Sequence, residues 1–504
     1  MLFAFWTVCL ESNTSPTRQR GYWTWHRCDT LFPRWRAGLV SVASLFAIAA
    51  VVSAAETYDL TSAIKPGQSQ AVRTAVEVKG DLKLNSDGKE VTTVPMLVKA
   101  DLQYTERFLA IKADSTVRAA RRYEKGEATI QIKNTELKQS IRDERRLIVV
   151  QHKGEEGSLF SPVGPLSREE LELLDAPGSS TVLATILPGK KVAIDDTWKL
   201  SNQTIARLLG LEAVSEQDII AKLTKVEDSI AIFALDGKIT GAVGGVSSEI
   251  DLHAKANFDL KKKAVTWLAM QYQEKRAIGH AQPGYDATIR VRTVAEPTAG
   301  IPELANDALS TLTLEAKPEL TLLEFQAESA GLNLAHDRRW RVMVDRIDAA
   351  ILRFIDRGDL VAQCNINRLP PLPKDKPLTL AAFQKSVETT LSKNGGQVSE
   401  AAQETTKDGG KLLRVTVAGT ASEIPIQWYY YHLTDAQNRR ASVVVTLESK
   451  LIERYPALDR ELISGLLLLE TPSTKDEGKV PTPAGNSSEA PTSRLNKQPS
   501  VKKK

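Results

Sequence analysis

The chain has 504 residues, 42% of them hydrophobic and 25% charged, a balance that excludes a fibrous or wholly disordered protein. Its formal charge of +4 comes from its two ends: between Glu56 and Glu470 there are 54 basic and 57 acidic residues, which leaves no electrostatic footprint for nucleic acid. The 415 residues of that interval are enough for two domains with separate cores.

Residues 1–33 follow neither helical nor strand periodicity and are expected to be a disordered leader, upstream of the true translation start. No Met lies between Met1 and Met96, so a start near Leu31 requires a non-ATG codon; the alternative is a cytoplasmic arm on a signal anchor. Ala37 to Ala55 is a run of 19 uncharged residues, roughly 28 Å as a helix and just long enough to cross a bilayer. Its composition favours export instead, because much of the run is Ala, Gly and Ser. Arg34 and Arg36 supply a positive start, and Val52-Ser53-Ala54 or Ser53-Ala54-Ala55 supplies the small-residue exit that signal peptidase accepts. Residues 34–55 are therefore expected to be a signal peptide, cleaved near Ala54 or Ala55, delivering the mature chain to the periplasm or outside the cell. Retention as an inner-membrane anchor is the alternative. Cleavage removes Cys9 and Cys28 and leaves Cys364 alone, so no intramolecular disulfide forms, and no Cys follows the apolar run to carry a lipid. Cys364 shares a strand face with Leu360, Ala362 and Ile366, which predicts a buried small hydrophobe.

Residues 56–297 alternate with period two between turn signals, as in "QAVRTAVEVKGDLKL", "VTTVPMLVKADLQY", "GEATIQI" and "RRLIVVQH". Asp87-Gly88 and Asp236-Gly237 are expected hairpin turns, the second separating "SIAIFAL" from "KITGAV". Two short helices interrupt the strands. Ser167 and Glu170 form a capping box ahead of "REELELL"; Ser201 or Asn202 opens "SNQTIARLLG", with Ile205, Leu208 and Leu209 on one side and Gly210 at its end. An antiparallel sheet with so few helices is expected to wrap over them as a half-barrel, whose interior either holds an apolar ligand or is filled by its own side chains. Residues 298–317, flanked by Pro297 and Pro318, are the expected linker.

The second domain spans residues 318–470. "NLAHDRRWRVM" reads as one strand, and "AAILRFIDRGDLVAQCNINRL" as two folding back at Asp356-Arg357-Gly358. "LTLAAFQKSVETTLSKNGG" predicts a helix capped by Thr379, carrying Phe383, Val387 and Leu391 on one face and ended by Gly395. Four strands follow, joined by Asp408-Gly409-Gly410 and "TDAQNR". A last helix, "YPALDRELISGLLLL", places Leu458, Leu462 and Leu466 on one stripe. This order, with "HDRRWRV" and "PIQWYYYHLTDAQNRRASVVVTLE", resembles the PsbP/Mog1-like fold over Leu320 to Glu470. The resemblance implies an α-β-α sandwich around an antiparallel sheet, in a family whose members mostly bind partners; it carries no ligand motif onto numbered positions. The first domain resembles the half-barrel periplasmic carriers related to LolA. The fold class expected for the whole is thus α+β. From Thr471 the chain has almost no large apolar residue and is expected to be a disordered tail with a basic end.

A search for chemistry is mostly negative. "GAVGGVSSEI" lacks the closing glycine of a nucleophile elbow, and "LPGKKV" lacks the spacing of a phosphate loop. His152, His253, His280, His336 and His432 include no pair at metal-ligand spacing, so no metal, cofactor or catalytic residue is assigned. His253 with Asp251 is the best candidate for a general base, and Asp195-Asp196 reads first as a turn before Trp198. In "QWYYYHL", Trp428, Tyr430 and His432 share one strand face, which is either covered by a helix or offers an aromatic binding surface. The expectation is a non-catalytic exported envelope protein that binds a protein partner or an apolar ligand. The alternatives are an exported hydrolase using His253 and Asp251, or a signal-anchored assembly factor.

Overall fold

Period-two alternation becomes long strands with one buried face. The computed structural model describes residues 56–470, apart from 86–89, 113–115, 155, 329, 347–348, 374–375, 392–395 and 407. The segments expected to be a leader and an export signal, Asp87-Gly88, Gly395 and the residues from Thr471 lie outside the described residues. No helix among the described residues is long and apolar enough to cross a membrane.

The first part of the chain contains β1 (Thr57–Asp59), β2 (Ser69–Leu84), β3 (Thr92–Ile111), β4 (Val117–Ile132), β5 (Thr135–Ser140), β6 (Leu147–Lys153) and β7 (Glu156–Phe160). Helix α1 (Arg168–Leu174), β8 (Lys191–Ala193), β9 (Thr197–Lys199), α2 (Asn202–Leu209), β10 (Ala213–Gln217) and β11 (Ile220–Glu227) follow. Four long strands complete it: β12 (Ile230–Val243), β13 (Val246–Asp259), β14 (Ala264–Arg276) and β15 (Gly284–Thr298). Apart from the short β1–β8 pair, these strands form one antiparallel sheet in the order β7-β6-β4-β3-β2-β15-β14-β13-β12-β11-β9, with β5 on β4 and β10 on β12. Along β13 every second residue from Val246 to Phe258 is buried. The buried faces of β2 through β15 meet in one core that also takes Leu171, Leu173 and Leu174 of α1 and Ile205, Leu208 and Leu209 of α2. Bulges at Gln103/Tyr104, Phe108/Ala110, Leu223/Lys225 and Asn257/Phe258 add twist to the sheet. Both helices begin as the sequence predicts. Ser167 and Glu170 complete the capping box, Ser201 caps α2, and Gly210 ends it with φ +71°.

Asp236-Gly237 is not a turn. Strand β12 runs straight through it, Asp236 pairs with His253 and Gly237 with Leu252, and the hairpin turns lie at Asp228-Ser229 and Gly244-Gly245. Glycine is needed at 237 for a different reason: β10 gives way to β11 at Asp218, and a Cβ at 237 would meet Asp218 Oδ1 at 2.7 Å.

The interval read as a linker contains α3 (Asn306–Ser310), and its Leu304 and Leu309 pack against Ala120. Beyond it come α4 (Pro318–Thr321), β16 (Leu323–Ala327), β17 (Leu332–His336), β18 (Trp340–Asp345), β19 (Ala349–Asp356), β20 (Asp359–Leu369) and α5 (Leu380–Leu391). They are followed by β21 (Gln397–Thr405), β22 (Lys411–Ala421), β23 (Ile424–Thr434), β24 (Arg440–Glu448), α6 (Leu458–Ser464) and β25 (Leu466–Leu468). A seven-stranded antiparallel sheet has the order β18-β19-β20-β24-β23-β22-β21, and β16, β17 and β25 form a small sheet of their own. Tyr429, Tyr431, Val443 and Val445 face a core shared with Leu458 and Leu462 of α6, while Trp428 and Tyr430 pack with Val387 and Leu391 of α5 in another. The Arg357-Gly358 turn, both residues at positive φ, folds β19 onto β20 as predicted, and Thr379 Oγ1 accepts the Ala382 N–H at the start of α5. The whole fold is predominantly antiparallel β-sheet with a few short helices.

Two elements differ from expectation here. "NLAHDRRWRVM" is two strands in two sheets, because Asp337 turns the chain by accepting the Arg339 N–H and its own C=O accepts the Trp340 N–H. The last helix stops at Ser464, since Gly465 lies against the Ala335 backbone, where a Cβ would stand 2.0 Å from the carbonyl oxygen. From Leu466 the chain pairs with β17 instead. Gly465→Ala is expected to destabilise the protein by about 1–3 kcal/mol through overpacking alone, read as a lower denaturant midpoint with an unchanged slope.

Cys364 is fully buried, and burial pushes its thiol well up from the ordinary range. It is expected to resist a thiol reagent in the native protein and to react at the normal rate in denaturant.

Candidate functional site: a cationic cavity at the junction of the two units

The two parts of the chain meet at α1. Arg142 donates through Nη2 to Glu170 Oε2 at 2.7 Å and through Nη1 to Glu324 Oε2 at 2.8 Å, so the capping-box glutamate also anchors an ion-pair network reaching β16. Leu166 bridges Leu323, and Leu323 is buried in the core of the large sheet. Arg338, in the turn between β17 and β18, reaches back to the carbonyls of Thr321 and Leu159 at 2.6 Å each. Farther along, Gly245 and Gly358 touch tip to tip, too close for a Cβ at either position.

Between these contacts lies a cavity of about 670 Å³, within the size range of small-molecule sites. Its apolar wall comes from the inner face of the large sheet and from α1, with Val76, Val78, Ile289, Leu171 and Leu174. Its polar wall holds eight arginines against five carboxylates. Arg121 is paired with Glu106 at 2.6 Å, and Arg276 with Glu274 at 2.5 Å, both pairs buried. Arg168 has no such match: its guanidinium donates to the carbonyls of Arg338 at 2.5 Å and Trp340 at 3.2 Å. Burial, with Arg341 and Arg338 nearby, pushes Arg168 down to about 9. Glu172 stands 3.7 Å from Arg341, and burial raises its carboxyl above the usual range, as it does that of Asp175. Both effects follow from enclosing a cationic wall in a medium that solvates charge poorly. His152, on the same wall, is pushed down to about 4 by burial and by Arg207 and Arg121, and is therefore neutral at physiological pH.

The residues singled out in the sequence lie elsewhere. His253 is on the outer face of the large sheet and two-thirds exposed; its Nδ1 meets Asp236 at 2.8 Å across the strands, and its Nε2 is 3.8 Å from Asp251. The partner is Asp236 because β12 continues through it and sets it directly across from His253 on β13. The shallow groove beside His253 has no Ser, Thr or Cys among its lining residues. Asp195 and Asp196 form the expected turn, Asp195 with φ +72° and a salt bridge to Lys222, Asp196 accepting the Ala193 N–H. On β23, α5 lies over the Trp428, Tyr430 and His432 face: His432 is 3% exposed, its ring is 5.9 Å from Phe383, and its Nε2 accepts from Arg440. Among the described residues no three His, Cys, Asp or Glu side chains are placed to hold a metal ion.

The arginine wall was legible only in part. In "AVTWLAMQYQEKR" the inward positions Leu268, Met270 and Tyr272 continue into Glu274 and Arg276, so charge on the buried face of a strand was visible as a signal. Arg338, Arg339 and Arg341 in "HDRRWR" were read only as part of a family pattern; their place at the cavity depends on the Asp337 turn.

Part of the chain resembles the PsbP/Mog1 fold. Cyanobacterial PsbP from Synechocystis is similar at 14% identity, covering 29% of this chain and 92% of that one, with a TM-score of 0.24. A point mutant of Mog1 is similar at 11% identity, over 30% of this chain and 97% of that one, also at 0.24. A chain of the Tle4-Tli4 complex is similar at 9% identity over 44% of this chain and 74% of that one, at 0.19. These likenesses carry no argument about what the chain binds or does. No family model and no curated protein matches the chain.

Proposed function

We propose that this is an exported bacterial envelope protein, non-catalytic, that holds a small ligand in the cavity between its two units. The observation that carries the reading is the cavity itself: a partly open space with one apolar and one arginine-rich wall, lined by residues of both units. The first unit is read as a half-barrel wrapped over α1 and α2, supported by the single core that its strands share with both helices. The second is read as an α-β-α sandwich, supported by separate cores on the α5 and α6 sides of the sheet. Export is supported by Arg34, Arg36 and the uncharged run ending at Ala55, and places the protein in the periplasm or outside the cell.

Native mass spectrometry of the protein purified from envelope extracts tests both parts. The expected species begins at residue 56 or its neighbour and carries the mass of one bound small molecule, lost on denaturation. A chain that retains residues 34–55 removes the cleaved-signal reading; a bare protein removes the ligand reading.

A further inference from the structure

We infer that the ligand is an amphiphile with an anionic head, a phosphate or a carboxylate, held by the arginines of the cavity with its apolar body along Val76, Val78 and Ile289. The inference rests on the reading of the cavity as a ligand site and adds the chemistry of what fills it. Four of the eight arginines have carboxylate partners, Arg121 with Glu106, Arg276 with Glu274, Arg339 with Asp337 and Arg341 with Glu172, whereas Arg168, Arg207, Arg338 and Arg357 make no ion pair among the described residues. Arg168 spends its hydrogen bonds on two backbone carbonyls and makes no ion pair among the described residues. Arg207, on the same wall, has the Gly154 carbonyl as its hydrogen-bond acceptor. An anionic oxygen accepts from a guanidinium without a counter-charge in the stronger, charge-assisted form of the bond. A free inorganic anion would leave the valine and isoleucine side of the same space in contact with water, whereas an apolar body removes it. The outer groove beside His253 also carries basic side chains, Lys99, Lys255, Arg290 and Arg292 with Glu77 and Asp236, but these four are exposed to solvent, whereas Arg121 and Arg276 of the cavity are buried.

The test is calorimetric titration of the purified mature protein, stripped of any ligand by unfolding and refolding, with four probes below their micelle concentrations: dodecyl phosphate, dodecanoate, dodecanol and inorganic phosphate. The two amphiphilic anions are expected to bind at least about tenfold more tightly than dodecanol and than inorganic phosphate, the stronger of the two identifying the head. Arg168→Gln and Arg207→Gln are each expected to weaken the anions by about tenfold and leave dodecanol unchanged, while Arg290→Gln on the outer face has no effect. Arg207 is tied to the fold by a single carbonyl contact, so its variant stays informative if Arg168→Gln folds poorly. Equal binding of dodecanol and dodecyl phosphate, inorganic phosphate binding as tightly as either amphiphile, or anion binding indifferent to both substitutions overturns the inference. If dodecanol alone binds and Val78→Trp abolishes it, the cavity remains a ligand site and only the anionic head is wrong. If no probe binds and the native protein is bare, the cavity reading fails as well.

Discussion

Glu106→Leu is expected to cost about 3–5 kcal/mol, more than any other single substitution considered, because it leaves a buried guanidinium without its counter-charge. Glu106 is fully buried in the core face of β3. One oxygen accepts from Arg121 Nε at 2.6 Å; the other accepts from Gln70 on β2 and from Ser180 after α1, each at 2.8 Å. Arg121, 2% exposed, spends Nη2 on Ser179 and Ser180 and lies over the Tyr104 ring at 4.7 Å. A charged pair at the bottom of an apolar sheet is a poor source of net stability but an expensive thing to halve. The double variant Glu106→Leu with Arg121→Met removes both charges and is expected to recover much of the loss. Guanidinium unfolding of the three proteins at neutral pH checks this; a single-variant loss below about 1 kcal/mol, or a double variant worse than the single, contradicts the account of the pair.

Neither Glu106 nor Arg121 was singled out from the sequence, and the reason is physical. Period two assigns both to the same alternating face as Tyr104 and Tyr123, but whether two charges on neighbouring strands meet depends on register and bulges, here at Gln103/Tyr104, which no local pattern states. Capping chemistry was legible because it is local: Ser167, Glu170, Ser201, Gly210 and Thr379 act within a few residues of themselves. The burial of Cys364 was legible because alternation alone determines it. The Asp236-Gly237 turn failed because its glycine answers to Asp218 on a neighbouring strand, and the last helix ran too long because Gly465 answers to Ala335. The cavity was invisible for the same reason on a larger scale, since Arg168, Arg207 and Arg341 come from α1, α2 and β18 and meet only when both units are folded together.

Acid is expected to weaken the fold well before the carboxylates titrate. Burial pushes His152, His336 and His432 each down to about 4, assisted by Arg207 at His152, Arg168 at His336 and Arg440 at His432. In the unfolded chain a histidine titrates near 6.5, so between about pH 6.5 and 4 the unfolded state binds protons that the folded state refuses. Stability is therefore fully present above that window and is lost as pH falls through it, by roughly 2 kcal/mol for each buried imidazole at about pH 5. Glu172 and Asp175 act in the opposite sense: their raised folded-state values contribute stability in acid that disappears as pH rises, which offsets part of the loss. The net expectation is a urea midpoint clearly lower at about pH 5 than at about pH 7.5, with the same difference in His253→Asn, whose imidazole is on the surface. A midpoint unchanged between the two conditions contradicts the burial of these three side chains.

The central claim is that a ligand lies between the two units, and hydrogen-exchange mass spectrometry tests it most directly. Protein as purified from the envelope is compared with the same protein after unfolding, removal of small molecules and refolding. The predicted result is faster exchange in the stripped protein at α1, at the turn from β17 to β18 and at the touching Gly244-Gly245 and Arg357-Gly358 tips, with the outer sheet around His253 unchanged. Identical exchange in the two preparations, or a difference confined to the outer face, would contradict it.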